Sequence, residues 1–208
     1  MEVRKLTMND LNDLMELQSL VYGSLQDKMI LETIDRPEFI EMIEQDFIIG
    51  VYEDQNLKAV RAMYIPPPDD PEHLAEDAGI EDRSEVIYSE ISFIHPDNRG
   101  QGLQTKLGRQ LIERVRKDGR FKHVLTTVLP TNIPSLKDKF RLDFKIVNTR
   151  VMYGGKYRHI LQLDLNQPLE AFGEKETVDY RNIEWMLENG KNHIGFDFDG
   201  TSIDYYLK

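Results

Sequence analysis

Arg99, Gly100 and Gly102 have the spacing in this chain that most directly suggests chemistry. They fall within Arg99-Gly100-Gln101-Gly102-Leu103-Gln104. Before them an apolar run ends at Ile94 and His95-Pro96-Asp97-Asn98 closes it; after them Leu103, Leu107, Leu111 and Val115 recur every fourth residue. A strand, a glycine turn and a helix start in that order leave main-chain N–H groups without intrahelical partners at the positive end of a helix dipole. Phosphates bind readily at such a place. The glycines allow backbone angles that a Cβ would forbid and let phosphate oxygens approach, and Arg99 adds a forked, permanent cation. Two familiar phosphate motifs do not fit. A dinucleotide fingerprint needs glycine where Thr105 stands, and a P-loop needs a Gly-Lys-Ser/Thr run that is absent.

The elements that must position this turn follow from periodicity and punctuation. Val3 to Thr7 reads as a short strand. Thr7-Met8-Asn9-Asp10 starts a helix near 10–22, and Asp35-Arg36-Pro37-Glu38 starts a second, short one. Phe47–Glu53, Leu57–Ile65 and Val86–Ile94 are strand-like, the first two joined as a hairpin through Asp54-Gln55-Asn56. A helix over about 102–117, a strand over 123–129, a helix beginning near Pro134 and a hairpin of 144–153 with 158–165 complete the order βααβββαβαββ. That order predicts an α/β (α+β) fold with a mixed central sheet flanked by helices. Residues 1–165 form one domain, and 166–208 an extension packed on it or on a partner subunit, with a helix expected over Thr177–Asn189 and a strand through Ile194, Phe196 and Phe198.

Composition bounds the partners. The 208 residues carry a net charge of -11, which argues against general nucleic-acid binding. Residues 99–123 nevertheless hold eight Lys/Arg against Glu113 and Asp118, a local basic island suited to a small polyanion or simply to a solvated helix face. The absence of cysteine excludes disulfides and thiolate chemistry, and no apolar run approaches a membrane span or a signal peptide, so a cytoplasmic chain with no membrane partner is expected. His73, His95, His123, His159 and His193 show no ligand spacing, so no metal is expected. Free sheet edges allow a homodimer.

At Arg99 the sequence resembles the GNAT superfamily of N-acetyltransferases, whose signature is Arg or Gln, any two residues, Gly, any residue, then Gly or Ala. Arg99, Gly102 and Gln104 occupy those places, Gln104 departing from the last. The strand before the turn, the amphipathic helix after it and the segment Asn132–Phe144 are also similar to that family, as is the order of elements from Val3 to Leu165. The resemblance implies a splayed sheet and acetyl-CoA as co-substrate. The CoA pyrophosphate would lie on the main chain of Gln101, Gly102, Leu103, Gln104 and Thr105, with Arg99 and Gly100 shaping the turn. The pantetheine arm would run beside Phe93 and Ile94 and be reached by Asn132, a residue that serves equally well as a helix cap before Pro134. It further implies transfer of acetyl to a primary amine of a small molecule or peptide. That reaction needs a group to take the amine proton and one to protonate the departing thiolate. Glu90, on the strand before the turn, is the candidate base. Many relatives place a tyrosine acid seven residues after the helix Asn; Lys139 stands there, so Tyr153, with Tyr157 and Tyr22 as alternatives, is the candidate acid.

Lys139, Gln104 and the C-terminal segment also fit a catalytically inactive CoA-binding sensor or interaction module, and the anion turn alone would fit a nucleotide binder. Residues 66–85, with eight Asp/Glu, would attract a cationic acceptor or merely solubilise a loop. Asp197-Phe198-Asp199-Gly200-Thr201 matches the nucleophile motif of haloacid-dehalogenase-type phosphatases, but too little chain follows it for such a domain. A tight turn between strands is the better reading.

Overall fold

Thr7 and Asp10 cap one another reciprocally, as their spacing predicts, and helix α1 (Leu11–Ser24) follows. Asp35 and Glu38 do the same for α2 (Arg36–Glu44): Asp35 Oδ1 accepts from the Glu38 N–H at 2.9 Å and Glu38 Oε2 from the Asp35 N–H at 2.8 Å. The computed structural model describes residues 1–208, which divide into two units: Met1–Ile65 with Tyr88–Asp118, and Pro66–Ile87 with Gly119–Lys208.

The first unit is an antiparallel sheet of β1 (Glu2–Lys5), β2 (Ile48–Glu53), β3 (Asn56–Tyr64) and β4 (Val86–Ile94), in that spatial order. Asp54 and Gln55 take φ of 48° and 64°, the double left-handed turn that suits the twist of a hairpin. Side chains alternate across β3. Val60 and Ala62 join Leu14, Leu17, Phe39, Met42, Ile91 and Phe93 in a core against α1 and α2. The opposite face of β3 carries α3 (Leu103–Asp118), whose Leu107, Leu111 and Val115 are wholly buried. Gly119, at φ +77°, ends that helix.

The second unit orders its strands β5 (His123–Val128), β7 (Lys156–Asp164), β6 (Lys145–Met152), β9 (His193–Phe198), β10 (Ser202–Leu207) and β8 (Phe172–Asp179), again antiparallel. Helices α4 (Ile133–Arg141) and α5 (Ile183–Asn189) pack against β9 and β6 respectively. The acidic stretch 66–85 is a series of turns pinned to the unit: Asp77 accepts from Asn148 Nδ2 at 2.7 Å and from Arg150 Nε at 3.0 Å, and Arg83 donates to the carbonyls of Pro68 and Asp70.

The helix expected over Thr177–Asn189 is shorter than its sequence suggests. Phe172–Asp179 is instead the edge strand β8, and α5 begins only after Asn182, whose Oδ1 accepts from the Trp185 N–H at 3.2 Å. Glu174, Lys175 and Glu176 favour a helix intrinsically, but ladder bonds to β10 and the Thr177 hydroxyl on Asp204 at 2.6 Å decide for strand. The Asp199-Gly200 segment is the turn joining β9 to β10; Asp199 Oδ1 accepts from the N–H groups of Thr201 and Ser202 at 2.7 and 2.8 Å. No helix is long and apolar enough to cross a membrane.

Candidate cofactor site

In the first unit, β4 leads straight into the glycine turn. Its register against β3 pairs Ser89 with Met63 and Ile91 with Ala62, so Glu90 is the extra residue of a β-bulge and stands exposed. Bulges re-aim side chains and kink the strand locally. Phe93 is wholly buried and packs edge-on against Phe39 with ring centroids 6.3 Å apart. Its side chain therefore belongs to the core, and what Phe93 offers a ligand is main chain. Ile94, at the strand end, is half-buried.

The turn is held from behind. The His95 N–H donates to the Lys58 carbonyl at 2.8 Å, and a single 3-10 turn over Pro96–Asn98 brings the Asn98 N–H onto the His95 carbonyl at 2.9 Å. Gly100 and Gly102 then take φ of 77° and 71°. A Cβ built on either would meet no atom within 4 Å, so the chain needs glycine for its backbone angle, and the ground before the turn is open. The first intrahelical bond of α3 runs from the Lys106 N–H to the Gly102 carbonyl at 3.0 Å. The N–H groups of Leu103 and Gln104 precede it, in the first turn of α3, where a helix offers a donor no intrahelical acceptor. Gly102, the residue before the helix, has no side chain with which to cap them.

Gln101 and Arg99 are exposed. Arg99 is not swinging free: its Nη2 donates at 2.7 Å to the hydroxyl of Ser24, the last residue of α1, and that hydroxyl gives its proton to the Val21 carbonyl at 2.7 Å. Beneath the turn lies Arg61, wholly buried on β3, donating from Nη1 to the Gln104 carbonyl at 2.9 Å and from Nη2 to the Ser89 hydroxyl at 3.2 Å. Within this unit the structure thus brings Glu90, Phe93, Ile94 and residues 99–105 onto one strand–turn–helix passage. Of the basic island, Arg114 is spent on an ion pair with Asp46 and Arg116 on Glu113.

The remaining candidates belong to the second unit. Asn132 caps α4, its Oδ1 accepting from the Ser135 N–H at 3.2 Å. Tyr153, in the β6–β7 turn at φ 47°, is 46% exposed, and its ring centroid is 5.5 Å from the Arg158 guanidinium carbon. Lys139 is buried, with Nζ 5.5 Å from the centre of the Phe144 ring. Tyr157 is exposed. His159 is entirely buried, shares a 2.8 Å bond with the Thr149 hydroxyl, and burial pushes its pKa down to about 3, so it is a neutral packing group.

Two residues at the turn escaped the sequence reading. Arg61 could have been found as a single charge in the apolar run Ala59–Met63, where a strand buried on both faces has no place for it unless bonded. Ser24 left no signal, because its role depends on where α1 ends.

No protein-family model matches the sequence, and no curated protein matches it. The fold does match solved structures. A putative acetyltransferase from Salmonella typhimurium, yncA, solved with its cofactor acetyl-CoA, superposes with a TM-score of 0.61 at 16% identity over 84% of this chain and 98% of that one. The PaiA N-acetyltransferase of Thermoplasma acidophilum, solved with coenzyme A, gives 0.55 at 15% identity over 78% and 98%. A polyamine N-acetyltransferase of Drosophila melanogaster gives 0.59 at 16% over 78% and 99%. The fold is that of the GNAT N-acetyltransferases.

Proposed function

We propose that this chain is an acetyl-CoA-dependent N-acetyltransferase that moves the acetyl group to a primary amine of a small molecule or peptide. The observation that carries the proposal is the open helix start: two left-handed glycines followed by N–H groups with no intrahelical acceptor, at the end of a bulged strand. A pyrophosphate suits those donors, with Arg99 exchanging Ser24 for a phosphate oxygen. The pantetheine amides would extend along the main chain at Phe93 and Ile94. In the second unit, the side-chain amide of Asn132 uses only its oxygen in the helix cap, so its NH2 is not spent there.

Chemistry then needs little from the protein beyond placement and proton transfer. Glu90 takes a proton from the ammonium acceptor, the freed lone pair attacks the thioester carbon, the C–S bond breaks as the acylated nitrogen releases its second proton to solvent, and the thiolate takes a proton, for which Tyr153 is the candidate donor. The net charge of -11 favours cationic acceptors in the encounter. Incubation with acetyl-CoA and a panel of polyamines, aminoglycosides and lysine peptides, with free CoA thiol as readout, tests this. Amine-dependent thiol release is expected. Tight acetyl-CoA binding without thiol release from any amine would replace the enzyme with a sensor, and absence of binding would remove both.

A further inference from the structure

We infer that Arg61 is a positioning residue that locks the bulge carrying Glu90 to the first turn of α3, an inference that rests on acetyl-CoA occupying that turn. Arg61 is the largest side chain fully buried in the chain. Its neighbours along β3, Ala59, Val60, Ala62 and Met63, are equally buried and all apolar. A guanidinium cannot shed its charge by deprotonating, so burial there opposes folding, and a well-packed apolar side chain of similar volume would avoid that opposition. Its use lies in what its two arms hold. Nη1 donates to the carbonyl of Gln104, the second residue of α3, at 2.9 Å; Nη2 donates to the hydroxyl of Ser89, the residue before the bulge, at 3.2 Å.

These are the two halves of the proposed site: the amides that would hold the anion and the strand that aims the base. The guanidinium is planar and rigid, so the separation of its two nitrogens fixes the separation of the groups they hold. Lysine, a single flexible point charge, does not transmit that constraint. The cation also lies behind the helix N-terminus, adding to the positive potential that the helix dipole supplies.

The two arms are separable by experiment. Ser89→Ala cuts only the strand arm, and is expected to lower kcat about 10-fold and shift its pH profile while leaving the acetyl-CoA Kd within about 2-fold. Arg61→Lys keeps the charge but loses the fork; it is expected to raise that Kd about 10-fold and to lower kcat as well. In the ligand-free chain, Arg61→Lys is expected to move the ¹H–¹⁵N resonances of Glu90 and of Leu103 to Thr105 together, a readout independent of what the turn binds. Wild-type Kd, kcat and pH profile in both folded variants would overturn the role of Arg61. An Arg61→Lys chain that does not fold leaves the decision to Ser89→Ala, whose wild-type kinetics would overturn it equally. Failure of the wild-type chain to bind acetyl-CoA would be seen before any variant is compared. It would remove the functional reading of the turn and this inference with it, whereas the resonance shifts would still report whether Arg61 couples the two segments.

Discussion

Helices α3 and α4 both follow a strand by a short turn, yet they begin in opposite ways. At α4 the fold closes its own helix end: Asn132 accepts from the Ser135 N–H, and Pro134 in the first turn removes a donor that would need a partner. The starts of α2 and α5 are likewise closed by Asp35 and Asn182. At α3 the preceding residue is Gly102, which can cap nothing, and Gly100 and Gly102 hold left-handed angles with open space where their side chains would be. A cap at α3 would have been worth about 1 kcal/mol. Under the proposed function, leaving it out keeps the N–H groups of Leu103 and Gln104 for an acceptor from outside, whereas α4 spends its own on stability.

The comparison is broken most severely through the strand beside α3. Glu90→Gln is expected to lower kcat by about 100-fold or more with the acetyl-CoA Kd unchanged, measured by thiol release and titration calorimetry. Wild-type rates across pH would take Glu90 out of the mechanism. Gly102→Val acts on the helix start itself. A β-branched residue at φ +71° is a genuine outlier, and about 1–3 kcal/mol of strain corresponds to roughly 5–150-fold in affinity if the turn rearranges. A folded Gly102→Val chain with undiminished affinity for acetyl-CoA would show that the turn does not hold the cofactor.

In the second unit the expected effects are on stability. His159 is neutral when folded, with its pKa pushed by burial to about 3, against about 6.5 when unfolded. The unfolded chain therefore binds the extra proton first as pH falls, so the stability contributed by neutral His159 is present above pH ~6.5 and declines below it, by at most about 1.4 kcal/mol per pH unit. Thermal melts from pH 7 to 4 should show a fall in Tm that His159→Gln reduces; an unchanged slope would assign the acid sensitivity elsewhere. Asn132 gives the smallest effect. Asn132→Ala should cost about 1 kcal/mol, some 2–4 °C in Tm, through the lost cap. Asn132→Asp keeps the cap and removes the amide donor. An unchanged Tm with weakened acetyl-CoA binding would assign that donor to the cofactor arm, and unchanged binding would leave Asn132 a cap alone.

Much of this was legible in the residues, for reasons that differ from place to place. The leucines of α3 recur at helical spacing because one face packs on β3, and Thr7, Asp35 and Gly102 mark helix starts because each supplies, or withholds, a specific cap. Edge strand β8 was not legible, since all but Val178 of its side chains are exposed and no alternation survives. At the site, the glycine turn is a local pattern and could be read directly. The bulge at Glu90 depends on register with β3, and the bond from Arg61 to Gln104 joins residues far apart in the chain. Neither leaves a local signature. That Phe93 turns its side chain into the core, leaving only its main chain at the strand end, was not legible, because the face each side chain takes depends on the helices behind the strand.

The most direct test of the open helix start is to follow backbone ¹H–¹⁵N resonances while acetyl-CoA is added. The largest shifts are expected at Gly102, Leu103 and Gln104, with the Arg99 guanidinium moving in step as it exchanges Ser24 for phosphate. Acetyl-CoA that binds while the amides of residues 100–105 stay unmoved would contradict the account.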